Sequence, residues 1–372
     1  MTQDLKPSVA IIGGGPSGCY MAQFLRRHFK DAQITIFDSL PVPYGLVRFG
    51  VAPDHLGTKA VAQQFDRLFE REGVKFVGNT EIGTKLSLQE LQEKFEIVVL
   101  ALGLSADRKM GIPGENLAGV YGSGMITRLI NSHPHESVEN VAVGSEIVVI
   151  GHGNVAIDLV RLSLMSSEDL VNLGIPRNVA DEIGSGAAIR IHVVGRSEIS
   201  NAKFDTTMVR ELAKFEDVKF ISDSTIKKDQ DPEIQKRINA IESLEKASNP
   251  EAKREVIFHF GWEPFEINGT ASVQSAKFKS TRGQLLQLSA DTIYSAIGFE
   301  EDCDAPIKLR EILSDQSDLS RGFVSDGLYC VGWLRRGPQG TIPTNRLDAK
   351  MVSEQIVADF TQKNRQKVLG QL

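Results

Sequence analysis

The stretch SVAIIGGGPSGCYMAQFLRRHF, residues 8–29, decides how the rest of the chain is read. Ser8 to Ile12 is a short apolar run of the kind buried in a parallel sheet. It passes directly into Gly13-Gly-Gly15-Pro-Ser-Gly18 and then into a helical pattern. At this spacing Gly13 permits a tight turn, Gly15 lets the backbone approach a pyrophosphate, and Gly18 lets helix and strand pack closely. The N-terminus of the helix adds N–H donors and the positive end of its dipole. Twenty residues beyond Gly18, ITIFD reads as a second strand ending at Asp38, where an acid would bind ribose hydroxyls.

The pattern recurs later in the chain. EIVVI (146–150) leads into Gly151-His-Gly153-Asn-Val-Ala156 and the apolar helix IDLVRLSLM, with Ala as an accepted variant of the third glycine. After a longer insertion, IRIHVVGR (189–196) brings a strand to Gly195 and Arg196. An acid suits a free ribose 2′-hydroxyl, whereas an arginine suits a 2′-phosphate. The first fingerprint therefore reads as an FAD site and the second as an NADP site. EIVVLALG (96–103) and TIYSAIGF (292–299) are two further buried strands ending in small residues, suited to crossings between interleaved nucleotide domains. The expected fold is α/β, with two Rossmann-like dinucleotide-binding domains. The NAD(P) domain (105–297) is expected to be inserted into a discontinuous FAD domain (1–104 and 298–372).

Composition excludes several other classes. A length of 372 residues with 41% hydrophobic content supports at least two cores, and a net charge of −6 argues against a general nucleic-acid binder. No apolar run approaches the roughly 18 residues of a membrane helix, and MTQDLKPS does not read as a signal peptide. Cys19, Cys303 and Cys330 form no C-x-x-C pair and no disulfide framework. A cytoplasmic protein without membrane insertion is expected.

The loop LPVPYGLVRFGVAPDH (40–55) holds three prolines that argue against a regular helix or a central strand. With this loop the chain resembles the adrenodoxin-reductase-like ferredoxin–NADP reductases over essentially its whole length. The motifs that carry the resemblance are GGGPSG, PVPYGLVRFGVAPDH, GHGNVAID, VVGR and VGWLRRGPQGTIPTN, although the connections after residue 220 are shorter than is typical. The resemblance implies hydride transfer between NADPH and FAD, and single-electron transfer between FAD and a ferredoxin-type iron–sulfur protein.

Residue by residue, the resemblance places the proline loop along the flavin, with Gly45 and Gly50 allowing close approach and Leu46 in contact. Gly13, Gly15, Ser17, Gly18 and Asp38 would serve the pyrophosphate and ribose, and Ile82 would pack beside the cofactor. Trp333, Gly340, Thr341 and Ile342 would also be cofactor residues, Gly340 lying near the nicotinamide. The segment 327–333 reads as a strand, and a closing helix is expected from about Asn345. On the NADP side His152, Gly153, Asn154 and Val155 would form the pyrophosphate turn. The family commonly has Gln where His152 stands, and His keeps a donor. The family's usual arginine pair is here Arg196 followed by Ser197, and Met208 precedes Glu211 where two glutamates are typical. NADP is therefore expected at this site, with NAD as the alternative.

Hydride transfer needs stacking and exclusion of water more than an acid–base residue. His55 is expected near the nicotinamide with Glu211 as its partner, a surface histidine being the alternative. No metal is expected, and His133-Pro-His135 reads as a solvated loop. The missing thiol pair excludes a thioredoxin-reductase type of disulfide chemistry. An acidic ferredoxin calls for a basic surface. Lys203, Arg210 and Lys214 could share one helical face, with Lys227, Lys228, Lys236 and Arg237 further on. The rival readings are an electron-entry subunit resembling the glutamate synthase small subunit and a non-enzymatic redox-sensing nucleotide-binding module. The first usually comes with a cysteine-rich N-terminal module, whereas this chain starts almost at its first strand.

Overall fold

The computed structural model describes residues 5–184, 188–223 and 228–369, so Lys227 lies outside the described residues. The chain divides into two compact units. The first comprises Met1–Val51, His55–Ala106 and Phe299–Leu372, and the second Ala52–Asp54 and Asp107–Gly298.

The first unit is built on a six-stranded sheet. In spatial order its strands are Phe323–Ser325, Leu328–Cys330, Ile97–Leu100, Ser8–Ile12, Gln33–Phe37 and Lys75–Val77. All neighbours are parallel except Phe323–Ser325, which runs antiparallel to Leu328–Cys330. The central strands are apolar on both faces because both faces are covered. Val9, Ile11, Ile34 and Val99 pack into one core beside the helices Pro16–His28 and Ile342–Leu369, while Ala10, Ile12, Val98 and Leu100 fill another.

The second unit repeats the plan with a six-stranded, wholly parallel sheet. Its order is Val120–Gly122, Thr292–Ser295, Glu146–Ile150, Arg190–Gly195, Arg254–Phe260, Val218–Ser222. Ile147 and Val149 point into a core with the helix Asn154–Leu164, whereas Val148 and Ile150 face a core shared with the antiparallel strands Trp262–Gly269, Val273–Ser280 and Leu285–Ser289. The period-two division of each strand between two cores follows from the alternation of side chains along it. Among the described residues no helix is long and apolar enough to cross a membrane.

Candidate functional site

In the first unit the glycine turn hangs between two strand ends. Gly13 N–H donates to Phe37 O at 2.8 Å, at a φ of +107°. A Cβ on Gly13 would lie 2.4 Å from Ala101 O, and one on Gly18 only 2.0 Å from Gly13 O. The fold itself therefore demands glycine at both positions. Gly15 differs, because its φ is −71° and a Cβ there would meet nothing within 4 Å. Gly15 is also the N-cap of Pro16–His28, which no side chain caps, whereas Ser87, Ser166, Asp205 and Asp231 each cap their own helices. Unsatisfied N–H donors beside an open glycine fit a pyrophosphate.

Asp38 does structural work as well. Its Oδ2 accepts Gly14 N–H at 2.7 Å and its Oδ1 accepts Leu40 N–H at 2.9 Å, which fastens the turn to the second strand. Burial raises its carboxyl above the ordinary carboxylate range, and the two backbone donors oppose that rise.

The proline loop presses on this turn. Tyr44 N–H donates to Gly14 O at 2.8 Å, and a Cβ on Gly45, whose φ is +46°, would lie 3.0 Å from Gly15 Cα. Tyr44 holds a φ of 90°, its ring is buried, and its hydroxyl bonds Asp66. The prolines do not suppress helix altogether. Leu46–Phe49 forms one helical turn, because Pro41, Pro43 and Pro53 fall outside it and Gly45 and Gly50 flank it. Lys59 Nζ donates to Arg48 O at 3.0 Å and Val47 O at 3.4 Å at the end of that turn, and burial lowers Lys59 to about 8. Leu46 is half-buried, while Ile82 is 4% exposed within the apolar core. His55 is half-buried, and its carbonyl accepts N–H bonds from Thr58 and Lys59.

The C-terminal segment departs from the sequence reading. Its strand stops at Cys330, Trp333–Arg336 is a helical turn, and the closing helix begins at Ile342 rather than Asn345. Gly332 causes the break. Its φ is +81°, its N–H donates to Asp348 Oδ2 at 2.6 Å, and a Cβ on it would lie 2.3 Å from Ser17 Oγ. The helix starts early because Thr341 O accepts Asn345 N–H at 3.1 Å, while Thr341 N–H donates to Thr344 Oγ1 at 3.1 Å. Asp348 is 6% exposed and also pairs with Arg335, and with Arg336 Nε at 3.1 Å. Arg336 Nη2 in turn donates to Asn345 Oδ1 at 2.7 Å. The Trp333 ring stacks on Phe299 with centroids 5.5 Å apart. Gly340 has a φ of +87°, and Gly340 and Thr341 are exposed while Ile342 is half-buried. Sequence reasoning missed Asp348. Its only signal was a solitary acid shortly after RRGPQG.

In the second unit the turn 151–156 repeats the first. Gly151 N–H donates to Val194 O at 2.7 Å, and a Cβ on Gly151 would lie 2.3 Å from Ala296 O. Gly153 is open, with nothing within 4 Å of a Cβ, and it begins the helix Asn154–Leu164 without a side-chain cap. Ala156 is buried at the third position, and Val155 is partly buried against the same core. Sequence gave no hint that Lys203–Asp205 brackets this turn. Lys203 N–H donates to His152 O at 3.0 Å, and Asp205 N–H to Asn154 Oδ1 at 2.7 Å.

His152 turns inward. Its ring is 6% exposed, its Nε2 donates to Val193 O at 3.2 Å, and its buried Nδ1 has no partner. The donor that a histidine would keep for a phosphate is thus committed to the backbone. Burial lowers its pKa to about 4, so the ring is neutral. Gly195 must be small beside it, since a Cβ there would lie 2.4 Å from His152 Nδ1.

Arg196 is exposed at the end of its strand with no ion pair among the described residues, and Ser197 O accepts Gly261 N–H at 3.2 Å. Glu211, exposed, ends the helix Thr206–Glu211; burial raises the Asp158 carboxyl above its ordinary range and the Glu211 charge adds to that rise. Arg161 is 1% exposed and pairs with Asp54 and Asp158. His55 belongs to the first unit and Glu211 to the second. Lys203, Arg210 and Lys214 do not share one helix. Lys203 precedes Thr206–Glu211 and Lys214 falls in the turn Leu212–Lys214. His133 Nδ1 accepts His135 N–H at 3.2 Å, so the polar loop satisfies itself locally.

A family described as pyridine nucleotide-disulphide oxidoreductase matches residues 7–311. The chain is 44% identical to the cindoxin reductase of Citrobacter braakii, covering 96% of this chain and 78% of that protein. It is 31% identical to a probable mitochondrial NADPH:adrenodoxin oxidoreductase of Schizosaccharomyces pombe, over 97% and 84% of the two chains. The chain belongs to the pyridine nucleotide-disulphide oxidoreductases, in their adrenodoxin-reductase-like branch. Among solved structures of these oxidoreductases, FprA of Mycobacterium tuberculosis, solved in complex with NADPH, superposes with a TM-score of 0.89 at 28% identity. That superposition covers 98% of this chain and 86% of FprA. The family name mentions a disulphide, but all three cysteines here are free and Cys19 and Cys330 are buried.

Proposed function

We propose that this protein is an FAD-dependent ferredoxin–NADP reductase that passes a hydride between NADPH and FAD and single electrons between FAD and a ferredoxin-type iron–sulfur protein. The observation that carries the reading is the duplicated turn. Gly13 and Gly18 in the first copy and Gly151 in the second are required by their own backbone, and each copy has one glycine, Gly15 or Gly153, whose side is open among the described residues. Asp38 stands beside the first turn, and Arg196, with no ion pair among the described residues, follows the strand that meets the second; both support FAD at residues 1–104 and 298–372 and NADP at 105–297. NAD is the alternative at the second site, because Ser197 stands where a second cation is usual. The relatives named as NADPH:adrenodoxin oxidoreductase and NADPH-ferredoxin reductase support the same assignment.

FAD, when bound, supplies the exchange between a two-electron hydride and single electrons. The chain's own part is to bind, orient and exclude water. The N–H groups after Gly15 and Gly153 would hold the two pyrophosphates, Asp38 would hold the ribose of FAD, and Arg196 with Ser197 the 2′-phosphate. Gly45 and Leu46 would wall the flavin on one side, and Trp333, Gly340, Thr341 and Ile342 on another. Gly332 would leave room for the Ser17 hydroxyl, and Asp348 would lock the Trp333 turn. His55 and Glu211 are proposed to manage the proton released when a hydride becomes two single electrons. Localisation is proposed to be cytoplasmic.

The test is NADPH-driven reduction of cytochrome c with and without an added [2Fe–2S] ferredoxin. Turnover that rises with ferredoxin supports the assignment. Reduction that no iron–sulfur protein accelerates rejects it.

A further inference from the structure

The closing helix Ile342–Leu369 buries Ala349, Val352 and Ile356 completely, yet leaves a second apolar stripe in solvent. Leu347 is 70% exposed and Met351 40% exposed, one helical turn apart, with the exposed Pro343 one turn before them. Isolated exposed leucines need no explanation, but two large apolar side chains in register on one helix face are a contact surface without a partner. At about 1.5 Å of rise per residue, Leu347 and Met351 stand about 7.5 Å and about 13.5 Å along the axis from Ile342. The stripe therefore starts beside the Gly340–Ile342 segment.

Charge around the stripe runs against that of the whole chain. The protein carries a net −6, but residues 335–354 hold four cations, Arg335, Arg336, Arg346 and Lys350, against two carboxylates, Asp348 and Glu354. Asp348 is buried and shared by Arg335 and Arg336, which leaves that trio with a positive excess. Arg346 is exposed and makes no ion pair among the described residues. Lys350 meets Glu354 at 3.8 Å with both side chains more than half exposed, a pair that contributes little and yields easily to a stronger partner. An apolar centre with a cationic rim matches a small acidic protein surface rather than a basic one.

We infer that Pro343, Leu347 and Met351, rimmed by Arg346 and Lys350, form the docking face for the acidic iron–sulfur partner. The inference rests on the electron-transfer function proposed above. It differs from a docking face on the basic residues of the second unit, where the Arg237 guanidinium bonds Ser200 O and Lys203, Arg210 and Lys214 share no helix.

The test uses the flavin-loaded full chain, NADPH, and two acceptors. Ferricyanide is small and needs no docking face, whereas an acidic [2Fe–2S] ferredoxin coupled to cytochrome c does. Leu347→Glu and Met351→Glu should each raise the KM for ferredoxin about tenfold, the loss expected for an interface anchor, and leave ferricyanide turnover unchanged. Arg346→Glu should raise the same KM and reduce its dependence on salt. Lys236→Glu, on the helix Pro232–Ala247, should change neither. Unchanged ferredoxin kinetics in all three stripe variants overturn the inference while leaving the reductase assignment intact, as does a rise confined to Lys236→Glu. A parent that reduces ferricyanide but no ferredoxin rejects the reductase assignment instead. A parent dimer that Leu347→Glu splits without altering ferredoxin kinetics would give the stripe to a second copy of the chain and also overturn the inference.

Discussion

Gly15→Ala separates a residue required by the ligand from residues required by the fold. At Gly15 the backbone has an ordinary extended conformation and a Cβ meets nothing within 4 Å. In the absence of FAD the substitution should therefore cost nothing, and lowering the entropy of the unfolded chain should add about 0.4–1 kcal/mol. The added methyl occupies the approach to the N–H donors at the start of Pro16–His28. Loss of one charge-assisted bond, about 1.5–3 kcal/mol, weakens FAD binding about ten- to a hundredfold. Gly18→Ala is the contrast, because its Cβ would sit 2.0 Å from Gly13 O and something must move. Overpacking of that kind costs about 1–3 kcal/mol whether or not FAD is present. The assay is thermal unfolding of deflavinated protein together with fluorescence titration of FAD. If Gly15→Ala binds FAD as the parent does, or destabilises the apoprotein as much as Gly18→Ala, the reading of the open glycine is refuted.

Three further outcomes are expected. Arg196→Ala should raise the KM for NADPH by about tenfold or more, from the loss of one charge-assisted bond, with NADH kinetics nearly unchanged, whereas Ser197→Arg should sharpen the preference; kcat/KM for both nucleotides decides. Asp348→Ala should cost about 1–3 kcal/mol, since it strands two half-buried arginines, and should shift the flavin spectrum. A spectrum identical to that of the parent would show that the Trp333 turn does not depend on Asp348. His152 has a folded pKa of about 4 against an ordinary 6.5, so the unfolded chain takes up the extra proton first. Its contribution is therefore fully present above about 6.5 and is lost as pH falls toward about 4, at up to about 1.4 kcal/mol per pH unit. His152→Gln keeps a donor for Val193 O and should flatten that slope in urea denaturation between pH 5 and pH 7. An unchanged slope would mean that His152 is not the group that titrates.

The two turns were legible in the sequence because Gly13, Gly18 and Gly151 have local backbone tasks that glycine performs, while Gly15 and Gly153 keep the approach to the helix open. Gly13 and Gly151 sit at positive φ against the backbone oxygens of Ala101 and Ala296. What the sequence did not disclose are bonds from a side chain to backbone far along the chain. Asp348 to Gly332 and Asp205 to Asn154 are such bonds, and no periodicity encodes them. The inward turn of His152 depends on Gly195, 43 residues later, leaving room for a ring, so a motif read at 151–156 alone shows a donor without its direction. The extended reading of 327–333 failed at Gly332, where a single residue at positive φ breaks the chain and the strand stops at Cys330, three residues early. Lys203, Arg210 and Lys214 looked like one face only because a continuous helix was assumed across Asp205, which is in fact an N-cap.

The central claim is that two-electron chemistry from NADPH becomes one-electron delivery on this chain. Anaerobic titration of the flavin-loaded protein with NADPH, followed by oxidised [2Fe–2S] ferredoxin, measures both halves in one cuvette. The account predicts that NADPH bleaches the flavin at a ratio near one per chain, and that the colour returns as about two ferredoxins are reduced, the count set by the two electrons of a hydride. A flavin that NADPH fails to bleach, or one that bleaches but never passes electrons to an iron–sulfur protein, would contradict it.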